Sequence, residues 1–189
     1  KQYLLSIAKS TWAFFETYLN EKNNYLITDN YQEGRKQKTV SRTSSTNIGL
    51  SLLAVISSYD LGFITLEKTI ELLKKILDTI ISLEKWNGHL YNWYDTITKK
   101  PLIPRYISTV DSGNFVGYLY TTKTFLEQSN LPDLEFYINY IDTMINETDF
   151  SLLYDKEKQI FSIGYNIEEN KLTDSYYDLL ASEARQASL

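Results

Sequence analysis

Apolar residues recur at steps of three and four along most of this chain, and that spacing commits it to packed helices. Leu4, Ala8, Trp12, Phe15 and Leu19 line one face of a first helix. Ile48, Leu52, Val55 and Tyr59 line a second, capped by Ser45 or Thr46 and ended by Gly62. Thr65 starts a third, with Leu66, Ile70, Leu73, Leu77 and Ile80 inward and a Glu71–Lys75 pair across one turn. Asp111 or Ser112 is expected to cap a fourth helix running to Gln128. Pro132 opens a fifth, with Leu134, Ile138, Ile141 and Ile145 on one side, and Thr173, Asp174 or Ser175 caps a sixth. Seven Gly and three Pro in 189 residues are too few for the turns of a many-stranded sandwich. The fold class is therefore mainly α.

The segments between the helices differ in character. Residues 21–44 are polar and read as a long loop. Leu90–Tyr94 and Ile103–Ile107 are rich in aromatic and β-branched residues and read as a short strand, turn and strand. Leu152–Asp155 and Gln159–Tyr165 form a second such stretch. Tyr94-Asp95 and Tyr154-Asp155, 60 residues apart, each precede a Lys-containing turn. Either this echo marks a repeat of helix pairs that bury their core by lateral stacking, or it is shared turn chemistry.

Composition removes several function classes. The chain has no Cys and one His, which excludes disulfide frameworks, thiolate metal sites, Cys nucleophiles and multi-histidine centres. A net charge of −5 and a pI near 5.0 argue against nucleic acid as a partner. Apolar runs are too short to span a bilayer, so no membrane insertion of this segment is expected, and residues 1–20 lack the pattern of a secretory signal. Glycine-rich phosphate cradles, nucleophile elbows and zinc spacings are absent. The chain is expected to be a piece of something longer.

Four stretches carry residues suited to chemistry. In Thr173–Arg185, Glu183 stands above Leu179 and Leu180 and near Tyr176 on a helix, which aims a carboxylate along an aromatic face. Burial there raises a carboxyl pKa toward what a general acid needs, although a carboxylate paired inside a helix interface fits the same spacing. Asp178, Ser182 and Arg185 share a neighbouring face that suits either substrate hydroxyls or solvent, and Asp174 is most simply a cap. Ser108–Asn114 is a polar loop feeding a helix start, able to bind hydroxyl-rich ligands or merely to cap through Asp111. Trp86, His89, Tyr91, Trp93, Tyr94 and Tyr106 offer flat rings for sugar faces, with core packing as the plainer account and His89 as a hydrogen-bonded structural residue. Arg35, Lys36 and Lys38 read as a solvated loop, whereas Arg42, just before Thr43–Asn47, is placed to turn inward and order a helix start.

Five motifs in order resemble the glycoamylase-like central region of cyclic β-1,2-glucan synthases, related to endo-β-1,2-glucanases. They are the stretches Arg42–Leu50, Gly88–Asp95, Pro104–Asn114, Phe161–Asn166 and Ser175–Arg185. The resemblance implies a partial (α/α)6 toroid built of helix pairs with short β-hairpins, residues 1–189 forming one domain fragment that is about its N-terminal half. It implies action on β-1,2-glucan by retaining transglycosylation (ring closure) or hydrolysis, without cofactor or metal. The alternative is a non-catalytic carbohydrate-binding or scaffold domain of a larger synthase. Glu183 is the expected catalytic acid/base. Asp111, Ser112, Asn114, Arg42, Asn47, Trp93, Tyr94, Tyr177, Asp178 and Arg185 are the expected substrate contacts or their supports. Ser45, Ile97 and Tyr118 depart from the family pattern, which commonly has Pro, Arg and His there. The resemblance further implies a large membrane-anchored parent with this part on the cytoplasmic face, and a glucan oligosaccharide or polysaccharide as partner. Retention needs two carboxyl groups about 5–5.5 Å apart, and with about six helices here against twelve in the toroid the second is expected beyond Leu189. The isolated fragment is then expected to be inactive and to self-associate through the incomplete toroid edge.

Overall fold

Each well-capped helix begins where a short polar side chain accepts from an N–H of the first turn that has no partner within the helix. In the computed structural model, which describes residues 2–177 and Ala187, α1 is Gln2–Tyr18, α2 Ser45–Asp60, α3 Leu66–Ser82, α4 Thr109–Ser129 and α5 Glu135–Glu147. Thr65 caps α3 as expected, its hydroxyl accepting from Lys68 N at 3.2 Å. The other two caps lie upstream of their expected positions. Ser44 caps α2, accepting from Asn47 N at 3.1 Å, and Ser108 caps α4, accepting from Asp111 N at 3.3 Å. Asp111 and Ser112 therefore sit inside the first turn of α4, released from capping. Ser44→Ala is expected to lower the unfolding free energy by about 1 kcal/mol, read by urea titration.

The stripes of α2 and α3 are the core. Ile48, Leu52, Val55, Leu73, Leu77 and Ile80 are essentially inaccessible, with Tyr59 and Leu66 half-buried at the ends. In α1 only Trp12 is buried and Leu4 is 67% exposed, so the expected stripe holds at its C-terminal half alone. No simple stripe marks α4, because it buries Thr109, Ser112, Asn114 and Thr122 together with Phe115, Leu119 and Leu126. The expected Glu71–Lys75 pair does not form. Glu71 pairs with Lys68 at 2.9 Å, and the Lys75 ammonium lies 5.2 Å from the centre of the Tyr25 ring.

Among the described residues helices α2 and α4 make the most extensive contact, with α1 and α3 backing α2 and α5 backing α4. The strands are two or three residues each: β1 Arg42–Thr43, β2 Lys85–Trp86, β3 His89–Leu90, β4 Tyr94–Asp95, β5 Tyr106–Ser108, β6 Tyr154–Asp155, β7 Ile160–Phe161, β8 Gly164–Asn166 and β9 Lys171–Leu172. The expected pairing of 90–94 with 103–107 forms only in part, Asn92 N donating to Tyr106 O at 2.7 Å and Leu102 N to Trp93 O at 2.9 Å, and the paired strands lie in three other partnerships. Leu90 pairs with Lys85 across the β2–β3 hairpin, Tyr94 pairs with Thr43 of β1, and β5 joins β8 and β9 in an antiparallel sheet. Two of these partners, β1 and β8, come from distant segments, which a local pattern does not specify. The 60-residue echo is turn chemistry. Asp95 Oδ1 accepts from Ile97 N and Thr98 N at 2.9 and 2.6 Å, and Asp155 Oδ1 from Glu157 N and Lys158 N at 2.9 and 3.0 Å. Among the described residues no helix is long and apolar enough to cross a membrane.

Candidate functional site

The first turns of α2 and α4 open into one cavity of about 290 Å³. Ser44 and Thr46 reach it from α2, and Ser108, Val110, Asp111 and Asn114 from α4. Asn92 and Trp93, between β3 and β4, form another side, and Tyr177 closes it from the C-terminal segment. Two helix N-termini thus direct the positive ends of their dipoles to one hollow, while the Asn47, Thr109 and Asp111 N–H groups are taken by Ser44 Oγ, Ile163 O and Ser108 Oγ. A larger cavity of about 470 Å³ lies between α1 and α2, but its walls, including Ala8, Trp12, Phe15, Leu53 and Phe63, are apolar and offer little to a hydroxyl-rich ligand.

Side chains on the cavity wall are tied to one another. With its amide turned to satisfy both neighbours, Asn92 donates to Asp111 Oδ2 at 3.2 Å and accepts from Trp93 Nε1 at 3.2 Å. Asn114 Nδ2 donates to Thr46 Oγ1 at 3.4 Å, linking α4 to α2. Asp111, Asn114, Trp93 and Tyr177 are therefore brought together at this cavity.

Other expected contacts stand behind the wall. Arg42 lies on Trp93, its guanidinium carbon 4.5 Å from the ring centre, and pairs with Asp29 at 3.0 Å. Asn47 Nδ2 donates to the same carboxylate at 3.2 Å. Arg42 does not turn inward as expected: its side chain is 46% exposed and reaches the start of α2 only through Asp29. Tyr94 is fully buried. Its hydroxyl donates to the Glu84 carbonyl at 2.6 Å and accepts from Tyr91 N at 2.9 Å, and burial pushes its phenol far above the ordinary range. Its expected place at the substrate is corrected to a strut beneath the site.

Ser112 is likewise turned away from the cavity. It is 3% exposed, and its hydroxyl lies 2.9 Å from His89 Nδ1. His89 Nε2 lies 3.0 Å from the Asp149 carbonyl, which can only accept. Nε2 therefore carries a proton, and in the neutral ring Ser112 donates to Nδ1. His89 is the structural residue that was expected. Burial, the largest cause, lowers its pKa from 6.5 despite the opposing Asp149 carbonyl. The unfolded chain then takes the proton first. The stability this ring contributes is whole above about pH 6.5 and is lost as pH falls toward the lower folded value. Wild type is expected to lose more melting temperature than His89→Gln between about pH 7.5 and pH 5.5.

The remaining aromatic residues pack elsewhere. Trp86 stacks on Tyr165 at 4.7 Å, and the Tyr106 hydroxyl lies 2.9 Å from Thr173 Oγ1. The segment leading to Tyr177 is pinned on both sides. Ser162 Oγ donates to Thr173 O at 2.6 Å, Ile163 N to Ser175 O at 2.9 Å, and Tyr176 Oη to Asp155 Oδ2 at 2.7 Å. The Tyr176 hydroxyl in turn holds the Asp155 carboxyl below the usual range. Among the described residues Asp174 caps no helix and pairs with Lys158 at 2.6 Å, while the expected sixth helix lies outside them. Asp178, Ser182, Glu183 and Arg185 lie outside the described residues. Asn92 and Asp29 were not singled out by sequence. Asn92 sits beside Trp93 in a quoted motif, but no local signal joins Asp29 to Arg42. Among the described residues, no group of three or more carboxylate or imidazole side chains is placed to hold a metal ion.

No protein-family model matches the chain. The fold is nonetheless a known class, the glucoamylase-like (α/α)6 toroid, of which this chain forms a part. An endo-β-1,2-glucanase from Chitinophaga pinensis, solved with sophorotriose and glucose, superposes with a TM-score of 0.75 at 15% identity, over 89% of this chain and 41% of that one. A β-1,2-glucanase from Parabacteroides distasonis does so with 0.72 at 15% identity, over 89% and 24%. In sequence the chain is 45% identical over 113 residues, 60% of its length, to the cyclic β-(1,2)-glucan synthase NdvB of Rhizobium meliloti strain 1021, and the match spans 4% of that protein. The resemblance drawn from the five motifs and the partial-toroid fold class both stand.

Proposed function

We propose that this chain is part of a carbohydrate-active enzyme that acts on β-1,2-glucan, closing or cleaving chains by a retaining route. The observation that carries this reading is the cavity itself. Two helix N-termini, an Asp111 carboxylate and the Trp93 indole meet in a polar hollow, on a fold shared with enzymes named as β-1,2-glucanases. The relative named as a cyclic β-1,2-glucan synthase supports the same substrate class. Flat rings beside hydrogen-bonding groups suit sugars, whose faces are apolar and whose edges carry hydroxyls. In this reading residues 1–189 supply about half of a toroid within a longer, membrane-anchored protein, this part facing the cytoplasm. Glu183 serves as acid/base, Asp178 and Arg185 help to grip the glucan, and the second carboxyl comes from elsewhere in the closed ring.

The test is a titration of the chain with linear β-1,2-glucan, followed by calorimetry. Saturable binding is expected, weakened about tenfold by Trp93→Ala through loss of ring stacking. Absence of binding by the wild-type chain, or equal affinity of the variant, would overturn the assignment of this cavity to glucan.

A further inference from the structure

We propose that Asp29, in the polar segment between α1 and β1, is a positioning residue for Trp93, acting through Arg42. Its carboxylate is mostly shielded, with a side-chain exposure of 19%. Oδ2 accepts from Arg42 Nη2 at 3.0 Å and Nε at 3.3 Å, while Oδ1 accepts from Asn47 Nδ2 at 3.2 Å. The Asp29 backbone N–H also donates to Arg42 O at 2.9 Å, so the two residues are joined by main chain and side chain together. The guanidinium held this way covers one face of the Trp93 indole, whose N–H edge is held by Asn92.

An arginine of this exposure would otherwise sample many rotamers, and a ring it stacks on would follow it. Two N–H groups on one carboxylate remove that freedom and leave the guanidinium plane presented to the ring. Asp29 thereby sets the angle at which Trp93 meets the cavity without touching anything inside it.

The proposal rests on the reading that this cavity takes glucan, and two readouts separate them. The first is the indole N–H resonance of Trp93 in the ligand-free chain, assigned with Trp93→Phe; the second is affinity for linear β-1,2-glucan. Asp29→Asn is expected to move the resonance and weaken glucan binding roughly tenfold, with Asp29→Glu recovering part of both. On a Trp93→Ala background Asp29→Asn is expected to cost no further affinity. An unmoved resonance, or an additive loss on that background, overturns the positioning role. A moved resonance in a chain that binds no glucan sustains the coupling and overturns the assignment of the cavity instead. Should Asp29→Asn fail to fold, Arg42→Lys keeps the charge, loses the stacking plane, and is expected to give the same two shifts.

Discussion

Gly88→Ala is expected to lower the unfolding free energy by about 3 kcal/mol, one of the largest losses any single methyl group can cause in this chain. Two costs add at that position. Asn87 and Gly88 have φ of 46° and 81°, the two-residue turn with both central residues left-handed that closes a tight hairpin between β2 and β3. A side chain at such φ costs roughly 1–2 kcal/mol. The hairpin tip also lies against the end of α5. A Cβ on Gly88 would overlap the Glu147 carbonyl and the Thr148 amide, and backbone cannot rotate aside as a flexible side chain would. Forced overpacking adds roughly 1–3 kcal/mol.

Two control substitutions separate these costs. Gly62 has φ of 74° with open space around it, so Gly62→Ala is expected to show the strain alone, about 1 kcal/mol. Gly34 has neither constraint, and Gly34→Ala is expected to be neutral. Equilibrium urea unfolding of the three variants ranks them. Equal losses at positions 62 and 88 would show that the contact with α5 carries no energy.

On the proposed reading, in which the chain is part of a longer glucan-acting enzyme, Glu183→Gln in that enzyme is expected to lower product formation from β-1,2-glucan about 10²–10⁴-fold while glucan affinity persists. The substitution keeps size and hydrogen-bonding reach but removes the proton that a leaving glycosidic oxygen must receive. Asp111, at the wall of the cavity and hydrogen-bonded to Asn92, is not replaced in this experiment, so the binding surface stays intact. Turnover assayed with and without glucan saturation distinguishes lost chemistry from lost binding. Unchanged product formation by Glu183→Gln would leave this domain a binding platform for catalysis elsewhere.

What one-dimensional pattern could reveal follows from the range over which each structure is determined. The stripes of α2 and α3, the Thr65 cap and the Asp95 and Asp155 turns depend on residues within four positions of one another, and each was legible. Caps at Ser44 and Ser108 fell one and three residues upstream of the polar side chains expected to serve, because runs such as Ser44–Thr46 and Ser108–Ser112 offer several hydroxyls and only tertiary docking picks one. The Asn87-Gly88 hairpin carries its own local signal, an Asn-Gly pair between two short strands. The helix α4 showed no stripe because it buries polar groups that find partners on other elements, as Ser112 does on His89 and Thr109 on the Ser162 carbonyl.

The sequence by itself determined which of the described segments become helices, where several turns fall, and that the motifs resemble those of cyclic β-1,2-glucan synthases. Tertiary structure alone decided that Tyr94 is a buried strut and Trp93 a cavity wall, though they are adjacent in sequence. It also brought Asp29 to Arg42 and Arg42 to Trp93. The reason is that periodicity and capping are settled by neighbours along the chain. Which side chain meets which cavity is settled by the packing of α2 on α4, where contact energy is shared among residues far apart in sequence.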